Sequence, residues 1–558
     1  MSPLDTKPAE PGTATVDPAP SASGPWGSLR RFSPWTRVVL GLLPALLPAL
    51  LFLPMVLSPP MNHDVAAVLA FTQRWLGGEK LYSELIDVNP PLIFIVNLIP
   101  SALAEWTPLD GVTALRLCVL ALGGCCWFLS VRVRDRVAEG SVERAFLDVL
   151  PAFFLLGGGY DFAQREHLMA VTALPYLLCA GARAGGRKPR GRFAIAAIAA
   201  VGFALKPHFL GIPVLVELLV LWARVPAGTP ARAIGRGLGR ALRQSLRDPV
   251  PWIMAGLWIV YLASVPVFFG DYLFVVVPLV WDFYVGLGGL TAMQVVLVPR
   301  MATAMLLFLP GLWCAFRWSG DRLGTPGAAL TRLFAIAGLG AAAAAIAQHK
   351  GWSYHIVPLE LFACGLAGLT AALWLDRRPT TAAEGTRVAA LLGALCTLYI
   401  VSNGEAPWKQ LDYVGSEVDG LTQLMAKDAA GERVLVLSPG IYPIYPAVNY
   451  AAVTVTLRTM NVWLLQAAYE RCLPDGRRYR DVWDMGRAEF FVYRTVAEDF
   501  ARTPPAAVVV DLRPGIPWCG EEFSFIGYFS RHPLFAEVWS HYKLTGEWDR
   551  FRVYTRQD

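Results

Sequence analysis

Residues 193–222 read FAIAAIAAVGFALKPHFLGIPVLVELLVLW, an apolar stretch interrupted by Lys206-Pro207-His208. At roughly 30 residues it is too long for one ordinary membrane span and short for two full ones. The flanking charges choose between the two. Arg183, Arg187, Lys188, Arg190 and Arg192 precede the stretch, and Arg224, Arg232, Arg236, Arg240, Arg243 and Arg247 follow it. Arginine-rich loops stay on the cytoplasmic side, so the chain must leave and return, which predicts a hairpin of two short helices over 193–205 and 209–222. Each arm rises only about 20 Å, so the Lys206-Pro207-His208 tip lies below the outer surface. Polar groups at that depth need protein or a water-filled cavity around them.

Outward from this hairpin the same pattern repeats. The chain has 558 residues, 55% hydrophobic and 16% charged, where a soluble protein carries about a quarter charged residues. Apolar runs predict about eleven spans, near 38–57, 112–131, 145–159, 168–184, 193–205, 209–222, 250–269, 293–316, 333–347, 355–375 and 388–401. Arginines cluster in alternate loops, while the intervening loops hold only Arg74, Lys80, Arg165, Lys206 and Lys350. This places the N-terminus in the cytoplasm and, with an odd span count, everything after Ser402 outside. The net charge of +6 therefore reflects membrane orientation, and nucleic acid is not an expected partner.

Residues 1–35 are rich in Pro, Ala, Ser, Thr and Gly and read as a disordered cytoplasmic leader. The first apolar run exceeds a signal-peptide core and lacks a small-residue cleavage site. Residues 36–402 form the transmembrane part, with a long first outer loop at 58–111. Within that loop, 92–105 is apolar but short, as in a helix on or dipping into the membrane surface. Residues 403–558 read as an extracytoplasmic α/β domain, with buried strands at 433–438 and 506–511 and an edge strand at 551–555. The nine cysteines include no CxxC pair. Seven lie in apolar runs, while Cys472 and Cys519 could pair if the last domain is outside.

Polar chemistry gathers in the outer loops. The first loop carries His63 and Asp64, then Asp87 and Asn89; Arg165, Glu166 and His167 end the turn that begins Tyr160-Asp161. Lys206 and His208 cap the hairpin, and His349, Lys350, Trp352, Tyr354 and His355 fill a further turn. Five of the seven histidines are at these positions, whereas the cytoplasmic loops hold arginine with almost none. Short loops are polar anyway, and Trp352 and Tyr354 also fit an aromatic belt; convergence of acids, cations and histidines at one face favours a shared outward cavity. Asp64 alone has two readings, a cap for the helix that follows it or a site carboxylate. No HExxH spacing supports a metal site, so a divalent metal stays open without a motif to carry it. No GxSxG elbow supports a serine hydrolase.

Asp64 just after the first span, the run Gly78-Glu-Lys-Leu-Tyr-Ser-Glu-Leu-Ile-Asp-Val-Asn-Pro-Pro-Leu92 and the C-terminal outer domain resemble bacterial membrane glycosyltransferases of the GT-C fold. The protein O-mannosyltransferases and lipid A aminoarabinose transferases belong to this group. The resemblance implies a polyprenyl-phosphate sugar as donor, no tightly bound cofactor, and a glycan, lipid or protein hydroxyl as acceptor. It also implies Asp64 as general base and Glu166 as the second-loop acid. His63 stands where many relatives have a second acid, and Asn89 where a lysine often precedes the two prolines. Arg165, Lys206, His208, Lys350 and His355 are then candidates for the donor phosphate. His63, Asp87, Asn89, His167, His349, Trp352 and Tyr354 are candidates for the substrates. A polysaccharide polymerase or ligase of related fold, a transporter, and a non-catalytic assembly protein are the alternatives.

Overall fold

The computed structural model describes residues 43, 46–225, 230, 233–284, 288–317, 326–404 and 408–557. The expected leader lies outside the described residues. Among the described residues before 403 the main helices are α1 Leu46–Leu57, α2 His63–Leu76, α3 Pro91–Trp106, α4 Gly111–Arg134, α5 Ser141–Leu156, α6 Arg165–Ala184, α7 Arg192–Ala204, α8 Gly211–Ala223, α9 Ile234–Leu246, α10 Pro249–Phe268, α11 Pro299–Arg317, α12 Pro326–Ala347, α13 Ser353–Leu375 and α14 Ala382–Ser402, with shorter pieces between some of them. Six of these (α4 and α10 to α14) are long and apolar enough to cross a membrane unaided. With the shorter apolar helices they make a multi-pass membrane protein.

The hairpin forms as expected. α7 and α8 have 13 residues each and are joined by the 3-10 turn Pro207–Leu210. α7 can lie close against α6 because Gly202 has no side chain; a Cβ there would overlap Thr172. Proline corrects the expected span at 293–316. The chain breaks between Ala292–Leu297 and α11, with Val298 extended ahead of Pro299, because the pyrrolidine ring disfavours a helical predecessor. A second departure is the apolar helix Tyr272–Asp282, which contains π-helical turns and falls where the sequence suggested only a loop.

Beyond residue 408 the expected α/β domain forms around one five-stranded sheet. Its strands are β1 Arg433–Leu437, β2 Thr454–Val455, β3 Ala507–Asp511, β4 Tyr542–Trp548 and β5 Phe551–Arg556, in the order β2-β1-β3-β5-β4. β1 is parallel to β2 and β3, while β5 is antiparallel to β3 and β4. β1 and β3 are almost wholly buried. The 551–555 segment is not the edge, because β4 pairs outside it. β4 escaped notice because most of its residues are exposed, so it lacks the alternation that marks a half-buried strand. Cys472 and Cys519 form a disulfide.

The sheet domain grips the long loop at 58–111. Ile86 N donates to Arg458 O at 2.6 Å, Arg74 to Leu457 O at 2.7 Å, and Met61 N to Tyr450 Oη at 2.9 Å. Glu79 receives both Arg74 and Arg433, at 2.6 and 3.1 Å. The bonds to Leu457 and Arg458 hold the loop after β2 over the mouth of the helical part, and the loops that follow parallel strands such as β1 and β2 are where ligands bind in α/β folds.

Candidate functional site

α2 starts because Asn62, not Asp64, caps it: the Asn62 side chain accepts from Asp64 N at 3.0 Å and Val65 N at 3.4 Å. This removes the capping reading of Asp64, whose carboxylate projects from the first turn and accepts from Gln164 Nε2 at 3.1 Å. Gln164 also donates to Asn62 Oδ1 at 2.9 Å, and Asn62 donates to Asp161 Oδ1 at 3.1 Å. His63 lies beside the carboxylate, its Nε2 3.7 Å from Asp64 Oδ1 and its Nδ1 3.2 Å from Tyr160 Oη.

Asp64 opens into a cavity of about 500 Å³ between the helical part and the sheet domain. His63, Asp87, Asn89, Arg165, Trp352 and Tyr354 line it, as do Tyr160, Asp161 and Tyr284. The sheet domain adds Pro439, Gly440, Ile441, Tyr442, Met460, Asn461 and Trp463. Asp87 turns its loop by accepting from Asn89 N at 2.8 Å. Burial pushes the Asp87 carboxyl above its ordinary value, against the opposing pull of that bond and of the Arg165 guanidinium.

Arg165 is 5% exposed and, among the described residues, has no hydrogen-bond or ion-pair partner. Asp64, Asp87 and Glu166 oppose its charge at longer range, and its side chain lines the cavity, where a guanidinium can receive an anion. One wall is aromatic: Tyr284 meets Trp352 at 6.3 Å and Trp463 at 5.3 Å between ring centroids, and Trp352 meets Tyr354 at 5.7 Å.

The other expected residues lie outside this lining. Glu166 follows Arg165 on α6, and successive helical residues point about 100° apart. Arg165 therefore faces the cavity while Glu166 turns into the core, 1% exposed, and accepts from Lys206 Nζ at 2.5 Å. Lys206 also donates to Gln348 at 2.8 Å, and His355 Nε2 is 3.8 Å from Glu166. Behind the aromatic wall, Lys350 donates to Tyr284 O at 2.9 Å. His167 is fully buried, its ring nitrogens at the Ala163 amide and the Phe154 and Leu155 carbonyls. His349 is exposed, with Nδ1 2.8 Å from Leu290 O. His208 packs on Phe209 at the hairpin tip.

Lys206→Met should therefore cost about 3–5 kcal/mol by stranding buried Glu166, read as a loss of thermal stability that Glu166→Gln in the same chain largely restores. Weaker donor binding with no loss of stability would return Lys206 to the site.

Beneath Asp161, Arg300 lies 3.6 Å from its carboxylate and forms a close pair with Glu360 at 2.8 Å. Sequence offered one signal for this pair: Glu360 interrupts an apolar helix, and an intramembrane acid requires a partner. Tyr284 and Trp463 carried no comparable signal, since neither lies in a recognisable polar turn.

No family model matches the sequence, and no curated protein is similar to it. Among solved structures, the chain is similar to ArnT from Cupriavidus metallidurans in the apo state, at 14% identity and a TM-score of 0.51, covering 93% of this chain and 98% of that one. The fold is that of ArnT. This is the GT-C architecture implied by the segment from Asp64 to Leu92. A second ArnT structure, bound to undecaprenyl phosphate, is 14% identical with a TM-score of 0.46, over 94% of this chain and 98% of that one. At such identity the likeness extends to the fold alone. Among the described residues no three histidines, cysteines or carboxylates come together as a metal site.

Proposed function

We propose that the protein is a membrane glycosyltransferase that moves a sugar from a polyprenyl-phosphate carrier to an acceptor hydroxyl at the outer membrane face. One observation carries this reading: Arg165, buried and without a hydrogen-bond or ion-pair partner among the described residues, shares a cavity with the carboxylate of Asp64 and an aromatic wall. The acceptor hydroxyl loses its proton to Asp64 as its oxygen bonds to the anomeric carbon. The bond from that carbon to the phosphate oxygen breaks, and the polyprenyl phosphate leaves with its charge facing Arg165. Tyr284, Trp352 and Trp463 offer ring faces to the sugar, while the carrier's tail stays in the bilayer.

Purified protein should release sugar from a lipid-linked donor, detected by loss of the glycosylated carrier in mass spectrometry. An intact donor pool across sugars and acceptors would favour a transporter or assembly role. The arginine pattern and the Cys472–Cys519 disulfide support an outer sheet domain. Thiol probes at Lys543→Cys and Arg236→Cys should accordingly label from opposite sides of the membrane.

A further inference from the structure

The short helix α9 is bound to the bundle on one face only. Gly237 and Ala241 are buried, and α8 packs beside them. Leu238, Leu242 and Leu246 recur every four residues and are 39%, 48% and 54% exposed. Arg236, Arg240, Arg243 and, at the C-cap, Arg247 follow a second stripe and are all exposed. Among the described residues none of the four has an acidic partner. The nearby Asp248 is already engaged, receiving Arg183 and Arg224 at 2.7 Å each. Arg224 also donates to Ser245 Oγ at 2.7 Å, which pins the last turn of α9 to the hairpin. Trp222 and Trp252, 59% and 58% exposed, stand just before and after this segment, and tryptophan prefers the level of the membrane surface.

We infer that α9 is a binding site for the headgroups of anionic phospholipids, with the leucine stripe in the acyl boundary and the four arginines on lipid phosphates. The exposed leucines demand an apolar neighbour, and the adjacent unpaired cations demand an anionic one. An anionic bilayer surface supplies both side by side. A soluble acidic protein or a nucleic acid would leave the leucines in water. The clamp at Arg224 and Ser245 makes the site a fixed ledge at the base of α8, whose 13 residues are too few to span a bilayer core of about 30 Å. Headgroups gathered there would draw the membrane surface toward the short hairpin. The inference depends on the chain being a membrane protein and not on its chemistry, so a failed transfer assay would leave it standing.

The test uses the full chain in nanodiscs of phosphatidylcholine mixed with phosphatidylglycerol, counting co-purified lipids by native mass spectrometry. The wild type should retain phosphatidylglycerol in preference. The variant Arg236→Gln/Arg240→Gln/Arg243→Gln/Arg247→Gln should lose about fivefold or more of that preference, and the matching four-lysine variant should keep most of it. A control variant, Lys188→Gln/Arg190→Gln, alters exposed basic residues of a different loop and should behave as wild type. Unchanged preference in the four-glutamine variant, equal loss in the control, or no preference in the wild type would each overturn the proposal. Unaltered melting in phosphatidylcholine alone shows that the variants are folded.

Discussion

Asp64→Asn is expected to slow sugar transfer about a hundredfold to ten-thousandfold, the range for loss of a general base, while donor binding stays within about twofold. The fold gives this substitution its meaning. Asn62 already caps α2, so the helix start does not depend on the Asp64 carboxylate. Gln164 Nε2, the donor to Asp64, can donate equally to an asparagine carbonyl. His63 and Tyr160 keep their contact. Stability should therefore hold, and the loss should fall on turnover. Single-turnover transfer with saturating lipid-linked donor, beside a binding isotherm for that donor, separates the two. Near-normal turnover would shift the role of base to Asp87 or Asp161, the other carboxylates lining the cavity.

Arg165→Gln should weaken donor binding about ten- to a hundredfold, the expected worth of hydrogen bonds to a charged group, and should slow transfer further because charge develops on the leaving phosphate. Its effect on stability should be small. The guanidinium has no hydrogen-bond or ion-pair partner among the described residues, while Asp64, Asp87 and Glu166 balance its charge from farther away, so its removal breaks no close contact. A melting temperature close to that of the wild type, together with poor donor binding, is the expected pair of results. Arg165→Lys should fall between, because an ammonium keeps the charge but loses the planar fork. A clear drop in melting temperature with normal donor affinity would make Arg165 a structural residue and leave the cavity without its anion-binding group.

The sequence determined the membrane part most fully where hydrophobicity and charge act along the chain. A 30-residue apolar stretch flanked by arginines had few ways to cross a bilayer, and the hairpin of α7 and α8 follows from that constraint. β1 and β3 were legible for a similar reason, since both are short continuous apolar runs. The turns that carry Asp64, Arg165, Trp352 and Tyr354 were visible as polar interruptions between apolar runs, so these residues could be named. Tertiary structure decided which of those side chains face one another. Arg165 and Glu166 are adjacent in sequence, yet one lines the cavity and the other is locked to Lys206, because a helix turns about 100° between them. The choice of Asn62 over Asp64 as cap depended on backbone conformation at the start of α2. Trp463 and Tyr284 meet across nearly 180 residues of chain, and no local pattern encodes that contact. It exists because Arg74 and Ile86 hold the loop after β2 over the mouth of the helical part, while Glu79 holds the start of β1.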